Sequence, residues 1–311
     1  MMKKFLRPFI LYAVGLCTAF ISCRKDDTQT LPTVNLSSLN FTSEPGEGEI
    51  KIKWNIPAEN PGFMYIKMSY TDPLDHKYRV ITLSPYTSEL IISNTRARYG
   101  NTYSFTFIPY SETDTPGTPF VLDKCISGPA PSTVTITKTP IKLAKIITNA
   151  QEPSEGPLTN LTDGNLDKYF HSQWSNNGGA EPYHWIDLDL GQEVTRFEIH
   201  TWNRKGAGKN FPNHIKLYRL SKLDDRTVNM EKGAFYEYDH PNKTSGGEGE
   251  ITYPGIDQPE IKEPIRYLRY CPNGTGGSKF WHLAELSISK VEVSVFNPET
   301  DEKSDMTDMK K

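Results

Sequence analysis

Short stretches in which apolar and polar residues alternate are the feature that most limits how this chain can fold. Residues 49–54 read Glu-Ile-Lys-Ile-Lys-Trp, and residues 186–190 read Ile-Asp-Leu-Asp-Leu. A period of two residues is typical of a β-strand with one buried face. Turn clusters rich in glycine and proline, such as 44–48, separate these stretches. The pattern predicts an all-β protein of short-stranded sandwiches and disfavours a helical bundle.

Length and charge narrow the class of protein further. The 311 residues allow about two domains. The 35 basic and 38 acidic residues give a net charge of −3, and no stretch concentrates lysine and arginine as a surface that tracks phosphates would. We therefore expect no nucleic-acid partner.

The first 22 residues have the form of a secretory signal peptide. Basic residues within the first seven precede an apolar run at 8–22, which is too short to span a bilayer comfortably. The run ends at Ser22-Cys23, and the next four residues are charged. The segment 19–23 resembles a bacterial lipobox, which implies lipidation of Cys23. A plain signal peptide followed by an unrelated cysteine is the alternative.

Residues 25–27, Lys-Asp-Asp, resemble the short tag that sends some Gram-negative lipoproteins to the outer face of the outer membrane. The resemblance implies a lipid-anchored protein that faces the cell exterior, with residues 23–32 as its tether. Beyond the tether, Cys125 and Cys271 could form a disulfide in an oxidising compartment or remain two buried thiols.

The first module is predicted at 33–140, with a last strand at 133–137. Its Trp54 and the later run Tyr99-Gly-Asn-Thr-Tyr103 resemble a fibronectin type III or related immunoglobulin-like domain, in which a tryptophan and a tyrosine pack in the core. Such a domain would hold the next module away from the membrane.

The second module is predicted at 141–292, followed by a polar tail at 293–311. Three motifs in order, at 161–172, 184–191 and 284–286, resemble the discoidin or factor V/VIII type C domain, whose jelly-roll fold is shared by carbohydrate-binding module family 32. The resemblance implies a galactose-binding-like jelly roll and a ligand held by loops at one end of the sandwich.

A structural calcium ion is a further implication of this resemblance. The turn Asp163-Gly164-Asn165 brings oxygen atoms together, as a hard cation requires. Lys168 stands where the family usually has a threonine that also binds the ion. The alternative is a plain turn whose amides bond to a glutamate. The implied ligands are the carbonyls of Asn160, Asn165 and Ala284 with the side chains of Asp163 and Glu285.

Sugar recognition needs flat aromatic faces and polar side chains on neighbouring loops. Three loops of the second module mix these residue types, and packing in the core is the alternative for each aromatic. The candidate sugar-binding residues are Trp202, Asn203, Arg204, His171, Trp174 and Trp281.

No common catalytic motif occurs in the chain, so we expect a protein that is not an enzyme. The sequence predicts a surface lipoprotein that binds an oligo- or polysaccharide beside an outer-membrane transporter of a polysaccharide-utilisation system. The alternative is an adhesin or assembly protein whose discoidin-like loops bind a protein partner.

Overall fold

The computed structural model describes residues 35–56 and 62–305. The predicted signal peptide, Cys23 and the tether lie outside these residues. The chain divides into two compact units. Among the described residues, the first unit comprises 35–43, 52–56, 62–90 and 101–125, and the second comprises 44–51, 91–100 and 126–305.

Nineteen strands make up most of the described secondary structure, which confirms the all-β prediction. They are β1 (Thr42–Gly46), β2 (Glu49–Lys53), β3 (Tyr65–Thr71), β4 (Tyr78–Leu83), β5 (Glu89–Ser93), β6 (Tyr103–Tyr110), β7 (Phe120–Cys125), β8 (Thr133–Pro140), β9 (Lys145–Thr148), β10 (Phe170–His171), β11 (Ile186–Val194), β12 (Phe197–Trp202), β13 (Pro212–Leu220), β14 (Tyr236–Asp239), β15 (Glu248–Tyr253), β16 (Ile265–Gly274), β17 (His282–Leu283), β18 (Glu285–Asn297) and β19 (Glu302–Asp305).

Helices are few and short in the described residues. None of them is long and apolar enough to cross a bilayer. They comprise 3-10 turns at Leu36–Leu39, Ala97–Thr102, Leu158–Thr162 and Thr275–Gly277 and one helical turn at Ser175–Gly178.

The first unit is organised around an antiparallel sheet with the order β4-β3-β6-β7. A cluster of stacked and tilted aromatic rings packs beside it, with Trp54 at 5.1 Å from Phe41 and 6.0 Å from Phe107 between ring centroids. Both Trp54 and Tyr103 are buried, as predicted. The fibronectin type III or immunoglobulin-like assignment stays a prediction.

Two antiparallel sheets form the second unit. One has the order β14-β13-β16-β11-β9, and the other has the order β15-β12-β18-β19, with β8 also paired to β18. Alternate residues of both sheets enter one apolar core, because Ile186 and Leu188 of β11 share it with Phe197 and Ile199 of β12. The predicted sandwich is confirmed for this unit.

Two predictions about the ends of the second module need correction. Strand β8 pairs with Ser289–Phe296 of β18 and so belongs to the sheet of the second unit, although the sequence assigned 133–137 to the first module. The prediction of a polar tail from residue 293 is also wrong, because β18 continues to Asn297. Val293 and Val295 continue the buried alternation of β18, and β19 then pairs with its last four residues.

Cys125 and Cys271 are both free and buried. Burial raises the pKa of the Cys271 thiol to about 12. In the structure, Cys125 and Cys271 are therefore two separate buried thiols and do not form a disulfide.

A buried ion pair joins the two central strands of one sheet in the second unit. Arg269 of β16 donates through Nε and Nη2 to Asp187 of β11, at 2.7 and 2.9 Å. The side chains are only 2% and 0% exposed. The guanidinium also lies 3.8 Å from the ring centroid of Trp185. The pair is shielded from water on every side, so each charge depends on the other.

We predict that Arg269→Met destabilises the protein by about 3–5 kcal/mol, because it leaves the Asp187 carboxylate buried without a counter-charge. The matched control is Arg266→Met, which removes a pair with Asp189 between the same two strands, where Arg266 is 47% exposed. That change should cost about 0–1 kcal/mol. Urea unfolding measures both, and equal losses would contradict the prediction.

Candidate functional site

A two-residue antiparallel ladder between β10 and β17 lies at the centre of the candidate site. Phe170 pairs with Leu283, and His171 pairs with His282. Since successive residues of a strand face opposite sides, Phe170 and Leu283 enter the core while both imidazoles lie on the other side. The ring centroids of the two histidines are 5.3 Å apart.

Hydrogen bonds to carbonyl groups fix the tautomer of each histidine. His282 Nε2 lies 2.7 Å from the carbonyl oxygen of Lys209, and His171 Nδ1 lies 2.7 Å from that of Ser172. A carbonyl only accepts, so both nitrogens carry a proton and the other ring nitrogen of each histidine is an acceptor. The acceptor of His282, Nδ1, is buried and has no partner among the described residues.

Both imidazoles are neutral near pH 7. Burial lowers the pKa of His282 to about 4, and the nearby His171 and Arg204 act in the same direction. Burial also lowers the pKa of His171. Each histidine therefore keeps one unprotonated ring nitrogen over the physiological range, and that of His282 is buried.

Arg204 lies over the face of Tyr169 at the same place. Its guanidinium carbon is 3.5 Å from the ring centroid. The Tyr169 ring in turn meets the His171 ring edge to face at 6.5 Å. Within the described ranges, no hydrogen bond or ion pair engages the Arg204 guanidinium, and the residue is half-buried.

Glu155 connects Tyr169 to the exposed Trp174. Its two oxygens accept from the Tyr169 hydroxyl at 2.5 Å and from the Trp174 indole Nε1 at 2.9 Å. The Tyr169 bond is the main cause of the lowered pKa of Glu155. Trp174 is 45% exposed, which leaves one apolar face of its indole open to a ligand.

A second carboxylate holds the backbone of the Trp174 turn. Glu152 is buried and accepts from the backbone amides of Trp174 and Ser175 at 3.1 and 3.0 Å and from the Ser154 hydroxyl at 2.9 Å. Burial alone would raise its pKa, but these bonds outweigh burial and lower the pKa of Glu152 to about 2. The turn is thus fixed by a permanent charge.

The segment that carries both glutamates runs directly against β10. Glu152 N donates to His171 O, and His171 N donates to Gly156 O, each at 3.0 Å. Gly156 has a φ of 61°, and a Cβ there would lie 2.6 Å from His171 N. Glycine is required at this close approach.

The structure brings three of the six candidate sugar-binding residues together, namely His171, Trp174 and Arg204. Trp202 instead stacks on His200 at 3.8 Å, outside this group. Asn203 is buried, and its amide donates to the carbonyls of Asn242 and Thr244.

Trp281 needs a correction as well, because it is fully buried in the core and its indole Nε1 donates to His184 O at 3.2 Å. Neither Trp281 nor Asn203 presents its side chain to a ligand.

Sequence reasoning missed Glu155, Tyr169 and His282. The last of these could have been found, because His282 alternates with Trp281 and Leu283 and one of the two faces must point away from the core. Glu155 lies in an irregular segment with no periodicity, so no local pattern marks it. We call Glu155, Tyr169, His171, Trp174, Arg204 and His282 the arginine cluster.

The residues implied for calcium lie in a separate arrangement. Glu285 Oε1 accepts from the backbone amides of Gly164 and Asn165 at 2.6 and 3.1 Å. Lys168 Nζ lies 2.9 Å from Asp163 Oδ2. Burial and the neighbouring Asp163 raise the pKa of Glu285, whereas Lys168 lowers the pKa of Asp163.

These residues do not fit a calcium ion. Calcium takes six to eight oxygen ligands, but here an ammonium group occupies one carboxylate and backbone amides occupy an oxygen of the other. Of the implied carbonyl ligands, that of Asn165 already accepts a hydrogen bond from Lys168 N at 3.0 Å. No group of three metal-binding side chains exists elsewhere in the described residues.

Comparison with known proteins identifies part of the second unit. Residues 145–286 match the family model for the F5/8 type C domain. This part of the chain is an F5/8 type C domain. The match covers the ladder, the arginine cluster and the loop of Asp163, all of which therefore belong to the domain. No curated protein sequence matches the chain significantly.

Solved structures similar to the chain cover about half of it. The family 32 carbohydrate-binding module of Clostridium perfringens NanJ, in complex with galactose, is 19% identical with a TM-score of 0.32, covering 50% of this chain and 100% of its own. The C-terminal domain of a Bacteroides fragilis chitobiase is 18% identical, with a TM-score of 0.30 and coverages of 48% and 93%. An F5/8 type C domain from Bacteroides fragilis is 11% identical, with a TM-score of 0.34 and coverages of 49% and 96%.

The neutral histidine of the F5/8 type C domain predicts a specific dependence of stability on pH. His282 has a pKa of about 4 in the folded protein and about 6.5 when unfolded. The unfolded state therefore binds more protons between these values, so stability falls as pH drops from 6.5 to 4. The slope is about 1.4 kcal/mol per pH unit, to a total of at most about 3 kcal/mol.

We predict that His282→Gln removes this share of the acid sensitivity, so that its unfolding free energy declines less steeply below pH 6.5 than that of the wild type. Urea unfolding at pH 7, 6, 5 and 4.5 measures the difference. The control His76→Gln removes an exposed imidazole of the first unit and should keep the slope of the wild type. Parallel curves for His282→Gln and the wild type would contradict the prediction.

Proposed function

We propose that this protein binds carbohydrate, without catalysis, at the arginine cluster of its F5/8 type C domain. The observation that carries the proposal is the Arg204 guanidinium, which has no hydrogen-bond or ion-pair partner among the described residues, in one cluster with the exposed indole of Trp174. Arg204 offers donors, the acceptor nitrogens of His171 and His282 are unprotonated, and Trp174 offers an apolar face.

A sugar ring matches this combination of groups. Each hydroxyl both donates and accepts, so it can bridge a guanidinium and a neutral imidazole. The C–H face of a pyranose is apolar and stacks on an aromatic ring.

The description of a similar solved structure gives the order in which glycans are tested. The domain from NanJ is described in complex with galactose. Galactose and galactose-containing oligosaccharides are therefore the first ligands to titrate, followed by plant, mucin and host glycans.

We predict that Arg204→Ala and Trp174→Ala each weaken glycan binding at least tenfold, or about 1.4 kcal/mol, in calorimetric titration. Arg204→Ala removes the guanidinium donors, and Trp174→Ala removes the stacking face. Two matched controls should bind as the wild type does. Arg266→Ala removes an exposed arginine that pairs with Asp189, and Trp202→Ala removes a tryptophan outside the cluster.

The controls decide where the site lies. If Trp202→Ala abolished binding while Trp174→Ala did not, the site would be at the end of β12 and the arginine cluster would be the wrong location. If the folded wild-type protein bound no glycan of the panel, the carbohydrate proposal would fail and a protein partner, as for an adhesin or assembly protein, would take its place.

Display on the cell surface is the second part of the proposal. A lipid on Cys23 would tether the domain to the outer membrane, and residues 25–27 would direct it to the outer face. An anchored binder at that location suits an accessory protein that captures glycan beside an outer-membrane transporter of a polysaccharide-utilisation system.

We predict that Cys23→Ala moves the protein from the membrane fraction to the soluble fraction and abolishes metabolic labelling with an alkyne fatty acid. Surface proteolysis of intact cells should degrade the wild-type protein, since the tag sends it outward. Labelling that persists in Cys23→Ala, or protection of the wild type from protease in intact cells, would contradict this part of the proposal.

A further inference from the structure

The loop from Asp163 to Lys168 closes on itself through its own side chains. Asp163 Oδ1 accepts from Asn165 N at 2.9 Å, and Asn165 Oδ1 accepts from Asp167 N at 3.0 Å. The backbone amide of Lys168 donates to Asn165 O at 3.0 Å, which completes the turn. These bonds satisfy the backbone locally and need no external group.

Glu285 fixes this loop to the sheet. It is the first residue of β18, pairs with Trp202 of β12, and is only 7% exposed. Its Oε1 accepts from both Gly164 and Asn165 N. Two amides on one buried carboxylate oxygen form a charge-assisted anchor, and they occupy one of the two oxygens of Glu285.

Two carboxylates, Asp163 and Glu285, thus lie next to each other at this anchor. Adjacent negative charges repel unless a positive charge lies between or beside them. Lys168 provides one, with Nζ at 2.9 Å from Asp163 Oδ2. The Lys168 side chain starts at the end of the 163–168 turn. Its ammonium group therefore lies beside the Asp163 carboxylate.

We propose that Lys168 takes the place of a structural divalent cation in this F5/8 type C domain, so that the loop stays anchored to β18 without calcium. Lysine supplies a single positive charge as part of the chain, and its presence does not depend on the metal concentration outside the cell. A calcium ion at the same place would have to displace an ammonium group and two backbone amides.

The test compares the protein lacking residues 1–23 with Lys168→Thr and Lys168→Met variants, in excess chelator and in millimolar calcium. Lys168→Thr replaces the ammonium by an oxygen ligand, and Lys168→Met keeps the length of the side chain without charge or oxygen. The control is Lys205→Thr, which removes an exposed pair with Asp167 at the same loop. Thermal unfolding and calorimetric titration with calcium chloride are the measurements.

We expect the melting temperature of the wild type to be the same in chelator and in calcium, and calcium to give no binding heat. In chelator, Lys168→Thr and Lys168→Met should melt about 2–4 °C lower than the wild type, while Lys205→Thr should not. Calcium should restore the melting temperature of Lys168→Thr and bind to it with measurable heat.

Three results would overturn the proposal. The first is stoichiometric calcium binding by the wild type, with a rise in its melting temperature. The second is a melting temperature of Lys168→Met in chelator equal to that of the wild type, because Lys168 would then stabilise nothing. The third is a Lys168→Thr variant that folds but stays insensitive to calcium. If the variants do not fold, the calcium titration of the wild type decides alone.

Discussion

The pairing of His171 with His282 in the short ladder of β10 and β17 is the constraint on which the candidate site depends. The ladder is held in register because Phe170 and Leu283 are buried in the core of the sandwich. A slip of one residue would send both imidazoles into that core and both apolar side chains outward. The core therefore decides which way the histidines face, although neither contributes to it.

Segments that have no regular structure of their own then assemble around this ladder. The segment at 152–156 lies along β10 and supplies Glu155, while the loop at 163–168 leads directly into Tyr169. Glu155 orients the Tyr169 and Trp174 side chains, and Tyr169 supports Arg204. The loop that precedes Tyr169 is anchored by Glu285, so Lys168 and Tyr169 of the candidate site follow each other along the same segment of backbone.

Most of the framework could be predicted from the sequence, because alternation is a local property. The predicted strand at 49–54 coincides closely with β2, and the one at 186–190 forms the first part of β11. Strand β15 was not predicted, because glycines surround it and only Ile251 and Tyr253 mark its apolar positions. The pairing of β8 with β18 was not predicted either, since alternation predicts a strand but not which strand lies beside it.

Only part of the candidate site could be predicted, because local sequence patterns do not show which distant residues come together. His171 stands in a motif that resembles a known family, and Arg204 stands in a loop that mixes aromatic and polar residues, so both could be found from the sequence. Trp281 is an aromatic residue of the kind that binds sugars, but its burial in the core is visible only in the fold. Glu155 and His282 act through neighbours that are distant in sequence, and no local pattern encodes such contacts.

The most direct test of carbohydrate binding at the arginine cluster is to follow the indole N–H signals of the five tryptophans by NMR during a glycan titration. Each signal can be assigned from a single Trp→Phe variant. The account predicts that the Trp174 signal shifts progressively with glycan while those of the buried Trp54, Trp185 and Trp281 stay in place. A shift of the Trp202 signal with Trp174 unchanged, or no shift of any indole signal, would contradict it.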